Sequence, residues 1–394
     1  MGAPAAVTDA WAAARKIDGA NALPHSRTMT LLTQGAIDCD IHPAVPGMHA
    51  LLPYMDEYWR EHLVSRGTDK LNLSLTSYPP NAPLSGRHDW RLKSGAAGSD
   101  LSALQRDALD AFGTRFAICN TIYAGQALHS EDMAAVLCRA TNDWIAREWL
   151  DRDQRLRSSI SVPLQSPDLA VKEIERCAQD KRFVQVLLFA MSEMPVGRRY
   201  HWPIFEAAER LVLPIGIHAG SSYRHAPTPG GWPSYFVEDY VAQASAFQSA
   251  LLSLVAEGVF TKFPRLKVVM IEAGFTWLPP FLWRADKSWR GVRREIPWVT
   301  EPPSEIVRRH VRLTIQPLDE PPDSSIMERV IEQIGSDEML LFSTDYPHWQ
   351  FDKDEVLPRG FSKELIRKVL VDNPMATYAR LNEAVPTRKE ESVP

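Results

Sequence analysis

The chain has 394 residues, of which 45% are hydrophobic and 24% charged, with a formal net charge of −5. That balance is ordinary for a globular protein, does not argue for a nucleic-acid or membrane-surface partner, and includes no run approaching about 18 uninterrupted apolar residues that could span a membrane. The four cysteines, Cys39, Cys119, Cys138 and Cys177, share no C-x-x-C spacing and read as reduced and buried, which points to a cytoplasmic location.

In chain order, residues 1–30 are Ala-rich and weakly patterned, and read as an N-terminal arm. They lack a basic start followed by an apolar run, so no signal peptide is expected. Residues 31–382 form the body of the protein. Short apolar runs recur in it near 35–40, 115–122, 158–163, 184–189, 213–218, 268–272, 312–316 and 340–344. Their continuous hydrophobicity suits strands buried on both faces, as in a parallel sheet. Segments with apolar residues at three- and four-residue spacing lie between most of them, at 133–149, 167–179, 203–211, 237–257 and 324–334. The alternation predicts an α/β fold, a (β/α)8 TIM barrel. A doubly wound open sheet is the alternative, but no G-x-G-x-x-G follows the first strand.

The gap between the first two strands is long. It opens with a predicted helix over 48–63 and runs into a stretch rich in Pro, Gly, Asn and Ser, so residues 64–110 read as a lid-like insertion over the catalytic end. A second turn-rich loop covers 219–236, and residues 383–394 form a polar tail.

Barrel chemistry collects at the C-terminal ends of the strands. There the sequence places Asp40 and His42 on the first strand, His218 on the fifth, Glu272 on the sixth and Asp345 just after the eighth. Asp40 and His42 are two residues apart and project from one face, whereas Cys39 between them should point the other way and pack behind the barrel. Each polar residue taken singly has a structural explanation, such as a hydrogen-bonded core histidine or an Asp that caps a helix. Together they would each cost several kcal/mol to bury unless partnered, and one shared divalent cation satisfies Asp40, His42, His218 and Asp345 at once. Two imidazoles and two carboxylates suit zinc first, with manganese or magnesium favoured if Glu272 adds a third carboxylate.

Four stretches resemble the amidohydrolase superfamily, in the branch typified by aminocarboxymuconate-semialdehyde decarboxylase and γ-resorcylate decarboxylase: IDCDIHP at 37–43, WPIFEAAERLVLPIGIHAG at 202–220, FPRLKVVMIEAGFTWLP at 263–279 and LLFSTDYPH at 340–348. The closing IRKVLVDNPMATYARL at 366–381 looks like that branch's last helix. The resemblance implies a metal-dependent enzyme acting on a small-molecule substrate, commonly as a homodimer. Asp40 and His42 stand where the family usually has His-x-His, His218 matches the fifth-strand ligand, and Asp345 matches the ligand that also handles protons. Glu272 stands where the decarboxylases usually carry an acid–base histidine.

Asp345, Glu272 and His218 are therefore the expected catalytic residues, with Glu272 either a ligand or a general acid–base group. His348, three residues beyond Asp345, would orient it or meet substrate. Arg199, His201, Arg224 and His225 are the remaining substrate-side candidates, joined by Arg87, His88 and Trp90 of the insertion, because arginine grips carboxylates through paired hydrogen bonds. The expected reaction is hydrolysis by a metal-activated water at a carbonyl-like carbon. The alternative is decarboxylation of an aromatic or unsaturated carboxylic acid without an organic cofactor. A barrel that has lost activity and serves as a scaffold is a third reading, motivated by Asp40 and Glu272 at histidine positions.

Overall fold

The computed structural model describes residues 33–70, 86–222, 225–351 and 356–383. The predicted arm at 1–30, the middle of the insertion and nearly all of the polar tail lie outside the described residues. Eight strands form one sheet: β1 Ile37–Ile41, β2 Phe116–Cys119, β3 Leu156–Ser161, β4 Phe183–Met191, β5 Ile215–Ser221, β6 Val268–Ile271, β7 Val311–Thr314 and β8 Leu340–Leu341. They lie in sequence order and each pairs parallel with the next. The sheet closes on itself where the Cys39 amide donates to the Phe342 carbonyl at 2.9 Å and Ile41 bridges Tyr346 in parallel. This is the (β/α)8 barrel that the alternation of apolar runs and helical spacings predicts.

Two apolar clusters show which face each strand residue takes. Ile37, Cys39, Ile118, Val184, Leu187, Val269, Ile271 and Leu341 form one buried cluster with Tyr378 and Leu381. Residues from β1, β4 and β6 can share a cluster only across the barrel's interior, so this is the lumen. The larger cluster combines Ile41, Cys119, Ile160, Val186, Ile217, Met270 and Leu313 with helix residues such as Leu137, Ile174 and Phe205, and forms the layer between strands and helices. Cys39 therefore faces the lumen, which corrects the expectation that it packs behind the barrel. The cause is an irregularity in the β1–β2 register between Asp38 and Ile41, which breaks simple alternation and turns Cys39 and Asp40 inward in succession.

The predicted helix over 48–63 is divided. Two short turns at Met48–Ala50 and Leu52–Tyr54 precede a helix at Glu57–Arg66. Pro53 cannot donate an amide hydrogen, and Asp56 restarts the helix by accepting from the Trp59 amide at 3.0 Å. The described end of the insertion reaches the C-terminal side of the barrel. Gly86 pairs with His348, the Arg87 amide donates to the Pro347 carbonyl at 2.8 Å, and Trp90 packs between Tyr346 and Phe351. No described helix is long and apolar enough to cross a membrane.

Candidate metal centre

The strand tips bring Asp40, His42, His218, Glu272 and Asp345 together, all of them buried. His42 is at the middle. Its Nε2 lies 3.0 Å from Asp40 Oδ1, 3.0 Å from Asp345 Oδ1 and 3.4 Å from His218 Nε2. His218 Nε2 in turn lies 3.7 Å from Asp40 Oδ2 and 3.6 Å from Glu272 Oε2. Both imidazoles are oriented from behind: His42 Nδ1 donates to the Asn120 carbonyl at 2.8 Å and His218 Nδ1 to the Ala219 carbonyl at 2.7 Å. A proton held at Nδ1 leaves the Nε2 lone pair directed into the cluster, the tautomer a metal requires.

Asp345 and Glu272 reach the cluster through unusual backbone. Their φ angles are 54° and 58°, in the left-handed region that residues with a side chain rarely enter. Such a conformation costs on the order of 1–3 kcal/mol and persists where the surroundings impose it. Here the Asp345 amide donates to the Asp40 carbonyl at 3.0 Å and the Glu272 amide to Thr314 Oγ1 at 2.9 Å. The strained positions turn both carboxyls back over the barrel mouth.

The electrostatics show a site that attracts positive charge. Burial alone would raise the Asp40 pKa, but the His42 and His218 imidazoles hold it far below the ordinary carboxylate range. Burial opposes charge on both imidazoles, yet Asp40 above all drives both pKa values up. Asp345 is likewise lowered against its burial, chiefly by His348, whose Nδ1 donates to Asp345 Oδ1 at 2.7 Å. Glu272 goes the other way: burial and then Asp345 push its pKa up to about 7. Its Oε1 accepts from the Tyr240 hydroxyl at 3.1 Å and from Gln350 Nε2 at 3.2 Å.

Two overlapping groups of donors, joined at His42, suit a divalent cation. Asp40 Oδ2 and Asp345 Oδ2 are buried and accept no hydrogen bond among the described residues, a costly arrangement for two carboxylates unless a cation meets them. Ligand atoms of Asp40, His42 and His218 lie within 4.8 Å of one another, and so do those of His42, Asp345 and His348. Two carboxylates balance a 2+ ion.

Other sequence candidates lie apart from the cluster. His201 is buried with Nδ1 on the Val196 carbonyl at 3.0 Å. His225 is exposed, its ring nitrogens facing the Ala226 and Ser192 carbonyls. Arg199 is exposed and its guanidinium stacks over Trp202 and Trp298. Arg87 is engaged by Asp89 and the Phe351 carbonyl and lies over the Trp90 ring, and His88 is exposed. Arg224 lies outside the described residues. Among the described members of the substrate-side set, only His348 joins the cluster, with its ring centroid 4.5 Å from that of His42.

Several participants escaped the sequence reading: Asn120, Gln185, Tyr240 and Gln350. Asn120 was within reach, since it follows the apolar run of β2 as Asp345 follows that of β8. Gln185 interrupts an otherwise apolar β4, a second usable signal. Nothing local marks Tyr240 or Gln350.

An eight-stranded parallel barrel with imidazoles and carboxylates converging at its C-terminal rim has the architecture of an enzyme, and its family match makes it one of the amidohydrolase superfamily, a hydrolase or a carboxy-lyase. The chain belongs to the amidohydrolase family, whose model matches residues 37–380. Among curated proteins it is 27% identical over 269 residues to the γ-resorcylate decarboxylase of Rhizobium sp. (strain MTP-10005), covering 64% of this chain and 79% of that one. It is 25% identical over 249 residues to the γ-resorcylate decarboxylase of Polaromonas sp. (strain JS666 / ATCC BAA-500), covering 58% of this chain and 71% of that one. The fold is also that of the dihydroxybenzoic acid decarboxylase from Polaromonas sp. JS666, a structure with bound manganese and the inhibitor 2-nitroresorcinol. That match has a TM-score of 0.64 and 21% identity, over 89% of this chain and 98% of the other.

Proposed function

We propose that the chain is a metal-dependent decarboxylase of an aromatic carboxylic acid bearing ring hydroxyl groups, working without an organic cofactor. The relatives, decarboxylases rather than hydrolases, favour this alternative over the hydrolytic reading of the sequence. The observation that carries it is Glu272, a protonatable carboxyl held 3.6 Å from His218 Nε2 at the edge of the donor set.

Asp40, His42, His218 and Asp345 would hold the cation. A divalent ion bound there would fix the substrate's oxygens and offset their negative charge. Zinc suits this donor set; manganese is favoured by the carboxylate share and by the ion in the Polaromonas structure. Glu272 in its acid form donates its proton to the ring carbon that carries the carboxylate. The bond from that carbon to the carboxylate then breaks, its electron pair returns to the ring, and carbon dioxide leaves. Glu272 remains as a carboxylate, braced by Tyr240 and Gln350, until solvent returns the proton. His348 holds Asp345 in its ionised form.

The test is to supply the manganese-loaded protein with carboxyl-13C-labelled 2,6-dihydroxybenzoate and close analogues. Labelled carbon dioxide with a hydrogen on the vacated ring carbon is the expected result. Absence of carbon dioxide, together with solvent 18O entering the product of an aromatic amide or ester, would restore the hydrolase.

A further inference from the structure

A column of buried amides and hydroxyls runs through the barrel from its floor to the candidate metal centre. Tyr378 follows the short C-terminal helix Asn373–Thr377 and belongs to the lumen cluster with Ile37, the first residue of β1, and Val184 near the start of β4. Its hydroxyl donates to Gln185 Oε1 at 3.2 Å. Gln185 Nε2 donates to Asn120 Oδ1 at 3.1 Å and to Ser159 Oγ at 2.7 Å, and Ser159 Oγ donates to Asn120 Oδ1. Asn120 Nδ2 then donates to Asp40 Oδ1 at 2.8 Å. Tyr378, Gln185, Ser159, Asn120 and Asp40 are all buried, so water offers none of them a substitute partner.

The column has one direction. At the top, Asn120 Nδ2 faces the Asp40 carboxylate and, at 3.4 Å, the Cys39 carbonyl; both only accept, so an N–H must point at them. Asn120 Oδ1 then faces down and requires donors, which Ser159 and Gln185 Nε2 supply. That leaves Gln185 Oε1 facing the floor, where Tyr378 is its donor. Every hydrogen bond donates toward Asp40, and the hydroxyl of Tyr378 begins the series. The space is built for it: a Cβ on Gly216 would stand 2.9 Å from Gln185 Oε1. The backbone carbonyl of Asn120 accepts from His42 Nδ1, so the same stretch of chain meets a second member of the cluster.

We infer that Tyr378 is a positioning residue for divalent-cation binding, acting through Gln185 and Asn120 on Asp40. The column supplies Asp40 Oδ1 with a fixed donor and so keeps Oδ2, which accepts no hydrogen bond among the described residues, turned to the cation position. Without the hydroxyl, Gln185 Oε1 loses its donor and the Gln185 amide gains freedom to turn, which weakens its hold on Asn120 Oδ1 and, through Asn120, the placement of the Asp40 carboxylate. The inference rests on the metal reading above and extends it from the barrel's rim to its floor.

The test uses the full chain stripped of metal and titrated with manganese(II), free ion being counted by its electron paramagnetic resonance signal. Tyr378→Phe should weaken manganese binding by about 10-fold and Asn120→Ala by about 10–100-fold. The double variant should bind no more weakly than Asn120→Ala alone, because Tyr378 acts through the residue already removed. Should Asn120→Ala fail to fold, Gln185→Met takes its place in the cycle. A purely structural tyrosine would lower the unfolding temperature and leave the dissociation constant alone. Wild-type affinity in Tyr378→Phe, or a loss that adds in full to that of Asn120→Ala, would overturn the inference. Wild-type protein that takes up no manganese would instead overturn the metal reading itself.

Discussion

His42 Nε2 and His218 Nε2 lie 3.4 Å apart, each on a ring whose Nδ1 donates to a backbone carbonyl. Two lone pairs so placed repel unless a proton or a cation stands between them and the neighbouring carboxylates. Asp40 above all raises the pKa of both rings against their burial, which favours a proton in that role when no cation fills it. Positive charge is thus a requirement of the strand tips, and the predictions below follow from how it is supplied.

Glu272→Gln keeps the shape of the side chain and removes its transferable proton. Metal content should stay as in the wild type while turnover falls by roughly 10²–10⁴-fold. Metal analysis and initial rates on the same preparation check both halves. Full activity in the variant would remove Glu272 from the chemistry.

The metal-free protein should show the Glu272 titration in its stability. The folded-state pKa is pushed up to about 7 from an ordinary 4.5, so the folded chain binds this proton more tightly than the unfolded chain does. The contribution is full below the unfolded value and is lost as pH rises through the folded one. The unfolding temperature of the wild type, measured relative to Glu272→Gln, should therefore fall between about pH 5 and about pH 8. A constant difference across that window would contradict the assignment.

His348→Ala removes the donor that holds Asp345 Oδ1. Divalent-ion affinity should drop by about 10–100-fold, as expected for loss of a group that orients a ligand. Competition against a chromogenic chelator reads this without reference to turnover. An unchanged affinity would leave His348 with substrate contact alone.

Gly216→Ala should destabilise the barrel by about 1–3 kcal/mol. The new methyl group would stand 2.7 Å from Ile271 Cδ1 and 2.9 Å from Gln185 Oε1, both in a packed interior. Urea unfolding measures the cost; a neutral substitution would mean that the lumen has room to spare.

The fold was legible because each strand is a short apolar run between helical spacings, and position in a barrel turns such a list into a geometry. The same rule located Asp40, His42, His218, Glu272 and Asp345, since a charged residue ending an apolar run stands out. It did not reveal that Cys39 faces the lumen, because a register irregularity leaves no mark in residue identity. The substrate-side residues were read from side-chain type in loops after strands, and type says nothing of direction: Arg199 turns to Trp202 and Trp298, and His201 to a backbone carbonyl. Tyr240 and Gln350 reach Glu272 from a helix and a loop far away in sequence, a relation only the folded chain creates.

The central claim is that β1, β5 and the turn after β8 share one divalent ion. Anomalous diffraction from crystals soaked in manganese tests it most directly. The account predicts a single peak at about 2.0–2.3 Å from His42 Nε2, His218 Nε2 and a carboxylate oxygen of each of Asp40 and Asp345. A well-ordered barrel with no peak there, or with manganese held only elsewhere, would contradict it.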